Sequence, residues 1–199
     1  MGKQLRGAFV VATLMIAGIV TMARPALSSQ DEARAFVADL GNEAVSILQP
    51  SRSLAEREAK LEDLFRRAFD LDFIARAVVG RYWNQATPKQ QDEYRRVFAD
   101  FIVHTYARRL ADQTVNAIQI TGTKDAGSQD VLVGTVIERP DGAALNYAWR
   151  VRDGASGNKI VDVVVEGVSL TITHRADFAS TLQRGGMDGL IATLKQKTS

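Results

Sequence analysis

The sequence predicts an α+β fold in which N-terminal helices and a C-terminal helix pair cover one face of a curved, four-stranded antiparallel sheet. Three observations predict it. From Asp31 to about Ala111 apolar residues return every three or four positions. From there to Glu166 they alternate, and β-branched residues dominate. After residue 174 the spacing is helical again, around the pair Gly185-Gly186.

The helical half is marked by Phe36, Leu40, Val45 and Leu48, then by Leu61, Leu64, Phe65 and Phe69. Two starts are explicit. Ser53-Leu-Ala-Glu56 has the form of a capping box, and Thr87-Pro88-Lys-Gln90 is a second one with proline at the first helical position. A long helix is therefore expected from Pro88 to about Leu110. A shorter helix is expected over Phe73 to Val79, ended by Gly80 as a left-handed cap. Asp70 and Asp72 flank Leu71; they read as helix-start caps, with a paired-carboxylate site as the alternative.

Four strands are expected at 114–123, 129–139, 143–152 and 158–166. Pro140-Asp-Gly142 and Gly154-Ala-Ser-Gly-Asn158 are connections of hairpin length, so the sheet should be a meander. Alternation puts Leu145, Tyr147, Trp149 and Val151 on one face of the third strand, and Val161, Val163 and Val165 on one face of the fourth, opposite Asp162, Val164 and Glu166. One face of this sheet is apolar and must be covered. Helices carrying Phe73, Phe101 and Tyr106 are available as cover. Either they fill the interior with protein atoms, or a ligand lies between them and the sheet. The closing helices should span about 174–184 and 187–197.

Composition narrows the function. The chain has 199 residues, 46% apolar and 24% charged, which suits one globular domain over 29–199. Of 25 basic residues, Lys3, Arg6 and Arg24 precede that domain, leaving 22 against 23 acidic ones. Such a balance lacks the electrostatic footprint of a nucleic-acid binder. The absence of cysteine rules out a disulfide framework, a thiolate metal site, a cysteine nucleophile and lipidation at a leader cysteine.

Residues 1–28 read as a secretory signal peptide. Lys3 and Arg6 precede an uncharged run from Gly7 to Ala23, and Ala26-Leu27-Ser28 offers small residues for cleavage; an uncleaved anchor is the alternative. No paired arginine precedes the run, which favours export of an unfolded chain and loading of any ligand outside the cytoplasm.

Reactive chemistry is sparse. His104 and His174 are the two histidines, with no serine nucleophile motif, no HExxH spacing, no Walker A loop and no dinucleotide fingerprint, so no metal and no cofactor is expected. Asp162 with Tyr147 would serve an isomerase-like enzyme only if a bulge turned them to one face. The pairs Arg66-Arg67, Arg95-Arg96 and Arg108-Arg109 read as solvated helix faces beside nearby acids, or as a docking surface for an acidic partner or anionic headgroups.

Phe73-Ile-Ala-Arg-Ala-Val-Val-Gly-Arg-Tyr-Trp-Asn-Gln-Ala-Thr-Pro88 resembles the MlaC family, also called the toluene-tolerance auxiliary transport proteins. So do the helix through Phe98, Phe101 and Thr105-Tyr106-Ala107, and the run Lys159-Ile-Val-Asp-Val-Val-Val-Glu-Gly-Val-Ser169. Phe178-Ala-Ser180 and Gly185-Gly-Met-Asp-Gly-Leu190 extend the likeness over most of the chain. The resemblance implies a cone-like lipid-binding fold and a non-enzymatic periplasmic phospholipid carrier that maintains outer-membrane lipid asymmetry. The implied partners are a diacyl phospholipid, an outer-membrane lipoprotein–porin complex and an inner-membrane ABC transporter with a hexameric lipid-binding ring. The residues it marks for lipid contact are Phe73, Val79, Phe101, Tyr106, Tyr147, Trp149, Val163 and Val165. A hopanoid-associated branch of the family, and a cargo-free structural adaptor, remain as alternatives.

Overall fold

The computed structural model describes residues 29–198 except 116, 139–141 and 143. The expected signal peptide at 1–28 lies outside the described residues, as does most of the Pro140-Asp-Gly142 turn. Among the described residues five helices come first: α1 (Ser29–Ile47), α2 (Leu54–Ala68), α3 (Leu71–Val79), α4 (Arg81–Gln85) and α5 (Pro88–Ala111). Five strands follow, β1 (Ala117–Asp125), β2 (Asp130–Glu138), β3 (Ala144–Gly154), β4 (Gly157–Val165) and β5 (Val168–Ser169), and α6 (Leu170–Thr198) closes the chain.

Both capping boxes form. Ser53 Oγ accepts the Glu56 amide at 3.3 Å while Glu56 accepts the Ser53 amide at 2.9 Å, and Thr87 and Gln90 repeat the exchange at the same distances. Asp70 is a cap, accepting the Phe73 amide at 2.9 Å, as its position before a new helix demands. Gly80 ends α3 at φ 52°, ψ −120°, so its φ is positive as expected but its ψ is not that of the left-handed cap.

The sheet is an antiparallel meander in the order β1-β2-β3-β4-β5. It has five strands rather than four, because Glu166 (φ 48°) and Gly167 (φ 83°) make a two-residue turn that pairs Val165 with Val168 and Val164 with Ser169. The β3–β4 turn is tighter than expected, since Gly154 pairs with Gly157.

A register shift between Arg150 and Val151 is the larger correction: Trp149 faces Val163, but Val151 faces Ile160. The bulge admits an extra residue, Val161, and delivers Ile160 to the apolar face in its place. The two closing helices run as one, with a break at Gly186 (φ 58°, ψ −152°), a conformation that side-chain-bearing residues rarely adopt.

Four apolar clusters hold the described residues together. Tyr94, Phe98 and Phe101 of α5 meet Ile74, Val78, Phe178, Leu190 and Leu194 from α3 and α6. Leu61 and Leu64 of α2 pack on Ala107 and Ala111 of α5, each leucine contributing about 1.5–3 kcal/mol by leaving water. Ala33 and Val37 of α1 cover Val131, Val133 and Val151. The fourth cluster, where α2 and α6 meet β4, forms the site described next.

Candidate functional site

The apolar face of β3 and β4 carries Tyr147, Trp149, Val163 and Val165, brought opposite one another by the pairs Tyr147–Val165 and Trp149–Val163. The two aromatic rings stack at 5.9 Å between centroids with 14° between planes. The Trp149 indole N–H donates to Thr135 Oγ at 2.9 Å, which satisfies the one polar atom of that ring and fixes its orientation. Phe36 and Leu40 from α1, Phe69 after α2 and Leu170 at the start of α6 complete the cluster. Of these side chains only Ala68, Ile160 and Val163 are buried; the others are half-buried. The result is an apolar seam between sheet and helices, with Val168 and Ile172 exposed near its β5 end at 57% and 63%.

The remaining expected residues lie elsewhere. Phe73, Val79 and Phe101 belong to the α3–α5–α6 cluster, where Phe101 meets Phe178 at 6.1 Å. Tyr106 is on α5, its hydroxyl 3.1 Å from His174 Nε2, and burial pushes that hydroxyl above the usual tyrosine range. Phe69 packs against both clusters and so joins the two groups. Phe36, Leu40, Phe69, Ile160 and Leu170 are seam residues that the sequence reading did not assign to the site. Phe36, Leu40 and Phe69 stand at helix-face spacing in the sequence, and that periodicity is the signal that points to them.

Two open recesses lie outside the seam. One of about 420 Å³ is polar, formed by the start of α1 and the β1–β2 and β3–β4 turns around Asp125, Asp130 and Asp153. Another of about 260 Å³ sits between α3, α4 and α6, and Val79 is on its wall. Tyr147, Trp149, Val163 and Val165 line neither.

No reactive constellation accompanies the seam among the described residues. Asp162 pairs across the sheet with Arg150 and Tyr147 with Val165, so the two point to opposite faces and the isomerase-like pair does not converge. Asp162 instead holds the α6 start: it accepts the Ser169 hydroxyl at 2.6 Å, the Thr171 hydroxyl at 2.8 Å and the Thr171 amide at 3.2 Å. Glu58, Glu62 and His104 are the one group among the described residues with ligand atoms close enough for a metal, within 4.8 Å of each other. They sit between α2 and α5, away from the seam, as an ion cluster that also takes in Arg108.

On the other face of the sheet Arg150 and Arg152 both reach buried Asp130, each at 2.6 Å. Burial alone would raise that carboxyl, but the two guanidiniums outweigh it and hold it below the usual range. Arg152 also lies 4.2 Å from the Phe73 ring centroid, tying sheet to α3. His174 is surrounded by Phe101, Tyr106 and Phe178, and burial keeps its imidazole below the usual histidine range.

These features define an α+β protein whose candidate site is a continuous apolar surface rather than a set of reactive groups. The family's sequence model, described as MlaC protein, matches residues 38–196, and the chain belongs to that family. It is 25% identical over 134 residues to the intermembrane phospholipid transport system binding protein MlaC of Haemophilus influenzae, covering 65% of this chain and 63% of that one. Toluene tolerance protein ttg2D of Pseudomonas putida is 23% identical over 120 residues, 60% of this chain and 56% of the relative. The matched segments thus span less than two thirds of either relative. Among solved structures, the phospholipid-binding protein from Ralstonia solanacearum in complex with a phospholipid shares the fold, with a TM-score of 0.73 at 24% identity over 84% of this chain and 97% of that one. No described helix is long and apolar enough to cross a membrane.

Proposed function

We propose that this chain is a periplasmic phospholipid carrier, made with a signal peptide at 1–28 and a single lipid-binding domain at 29–199, that works without cofactor or catalytic step. It takes a diacyl phospholipid with the acyl tails along the seam and the headgroup towards solvent. It shuttles that cargo between an outer-membrane lipoprotein–porin complex and an inner-membrane ABC transporter with a hexameric lipid-binding ring, and so maintains lipid asymmetry. The supporting observation is the seam itself: a member of the MlaC family gathers Tyr147, Trp149, Val165 and Leu170, all half-buried, on one apolar face of the sheet around buried Val163. Phe73, Val79 and Phe101 act from the adjoining helical cluster, which Phe69 joins to the seam, and Tyr106 acts from the same helix as Phe101.

Neither of the two recesses described is lined by Tyr147, Trp149, Val163 or Val165, so the tails enter the seam as α1 and the first part of α6 part from the sheet. The energetics allow it. Burying a methylene is worth about 0.8 kcal/mol against water, so two long tails amount to roughly 20 kcal/mol. A lipid in a bilayer has already gained that, and the carrier needs only to match the membrane within a few kcal/mol. Near-balance permits both uptake and release. Direction then comes from partners that bind the loaded and empty forms with different affinity.

Native mass spectrometry of protein expressed from the full sequence tests this in one measurement, since it reports cleavage and cargo mass together. A bound phospholipid mass and transfer of labelled phospholipid between vesicles are expected. Protein that carries no lipid and moves none refutes the proposal.

A further inference from the structure

The 260 Å³ recess is walled by Val78, Val79 and Tyr82 on one side and Leu182 on the other, and Arg81 and Arg175 frame it. We infer that it is a second binding subsite, separate from the seam, for a single-chain anionic amphiphile: one hydrocarbon chain ending in a phosphate or carboxylate. Its wall is apolar, no carboxylate lines it, and its volume falls below what drug-sized ligands fill, which suits part of one chain and not two. The arginines supply the complementary charge. Both are exposed, and neither makes an ion pair among the described residues. Arg175 donates to the Ala77 carbonyl, which pins it over the last turn of α3, and a guanidinium keeps further donors after that one is used. Arg81 is held by the Tyr82 ring, 5.3 Å from its centroid. Two preset guanidiniums beside an apolar wall match an oxyanion on a chain, where each planar fork can take two oxygens. The recess shares no lining residue with the sheet seam, and Val79 is the one residue that it has in common with the carrier proposal, so the inference is tested through Arg81, Arg175 and Ala179.

The test is calorimetric titration of the purified protein with dodecyl phosphate below its micelle concentration. The variants are Arg81→Gln/Arg175→Gln and Ala179→Phe, the latter filling the recess from α6, with Trp149→Asp as the seam control and circular dichroism to verify folding. The first two should weaken binding at least about tenfold. Trp149→Asp should leave it within about twofold, while the two recess variants retain co-purified phospholipid. If Arg175→Gln prevents folding, Arg81→Gln and Ala179→Phe carry the same expectation. Four results overturn the inference: affinity unchanged in the recess variants; binding lost in Trp149→Asp, which puts the probe in the seam; inorganic phosphate binding as tightly as the amphiphile, which leaves an anion patch only; or binding to phosphatidylglycerol vesicles and not to the monomeric probe, which makes the arginines a membrane contact. Loss of phospholipid from Trp149→Asp alone bears on the carrier proposal and not on this one.

Discussion

The α3–α5–α6 cluster and the sheet seam use similar side chains to different ends. In the helical cluster Tyr94, Phe98, Leu190 and Leu194 have no exposed surface, and the Tyr94 hydroxyl donates to the Ala75 carbonyl at 3.2 Å. Around these four side chains the interior is closed, with the Tyr94 hydroxyl satisfied. In the seam, rings as large as Tyr147 and Trp149 lie ordered against the strands yet keep part of their surface in water. The difference is one of closure and not of hydrophobicity. Helices packed on helices close completely around Tyr94, Phe98, Leu190 and Leu194, whereas a sheet bridged by helices that meet it along limited lines leaves its own aromatic surface partly uncovered.

That contrast can be broken in order of expected effect. Phe98→Ala should cost about 3–5 kcal/mol in urea unfolding, the loss typical of an aromatic ring taken from a full interior, and cargo should disappear only as folding does. Trp149→Asp should lower co-purified phospholipid at least about tenfold while costing about 1–3 kcal/mol. If it unfolds the protein as Phe98→Ala does, the seam is interior and the distinction fails. Thr87→Ala removes the cap of α5 and should cost about 1 kcal/mol with lipid content unchanged.

The smallest effect expected is a pH dependence. His174 is held below its ordinary range in the folded protein, so below about pH 6.5 the unfolded chain takes up a proton that the folded one refuses. Stability should therefore fall as pH drops from that point towards the folded-state value and be flat above it. His174→Phe should remove this slope in urea titrations between pH 5.5 and 7.5, a range of about two units around the free value. A slope that survives belongs to other groups.

Most helix starts were legible because their signals are local. Ser53, Thr87 and Asp70 each cap from within four residues of what they cap. The start of α6 at Leu170 was missed although Ser169 is a usable cap, its hydroxyl accepting the Ile172 amide at 3.2 Å; its firmer hold, Asp162, comes from a neighbouring strand that no local pattern reveals. The face of β4 is misassigned at Val161 because alternation assumes an unbroken ladder, and a bulge changes the parity of every residue beyond it, so that Ile160 takes the apolar face. At two residues, β5 is too short to show any period. In the site, Tyr147, Trp149, Val163 and Val165 were found together because one sheet face orders them. Phe73, Val79, Phe101 and Tyr106 could not be apportioned between ligand and interior, since both environments select the same side chains.

The break at Gly186 divides the closing rod into two levers that share the α3–α5–α6 cluster but differ in their polar ties. The distal one is fastened to α5 at both ends of its length, by Gln90 with Asp188 at 2.8 Å and Lys195 with Glu93 at 2.6 Å. The proximal one begins at the seam and is tethered there by Asp162. A rotation at Gly186 would move the seam end of the proximal lever most, since Phe178 and Leu182 hold its middle in the cluster. Amides of residues 170–185 should then trade hydrogen for deuterium sooner than those of 187–198, and Gly186→Ala, forced into a conformation it resists, should change that ratio more than it changes overall stability.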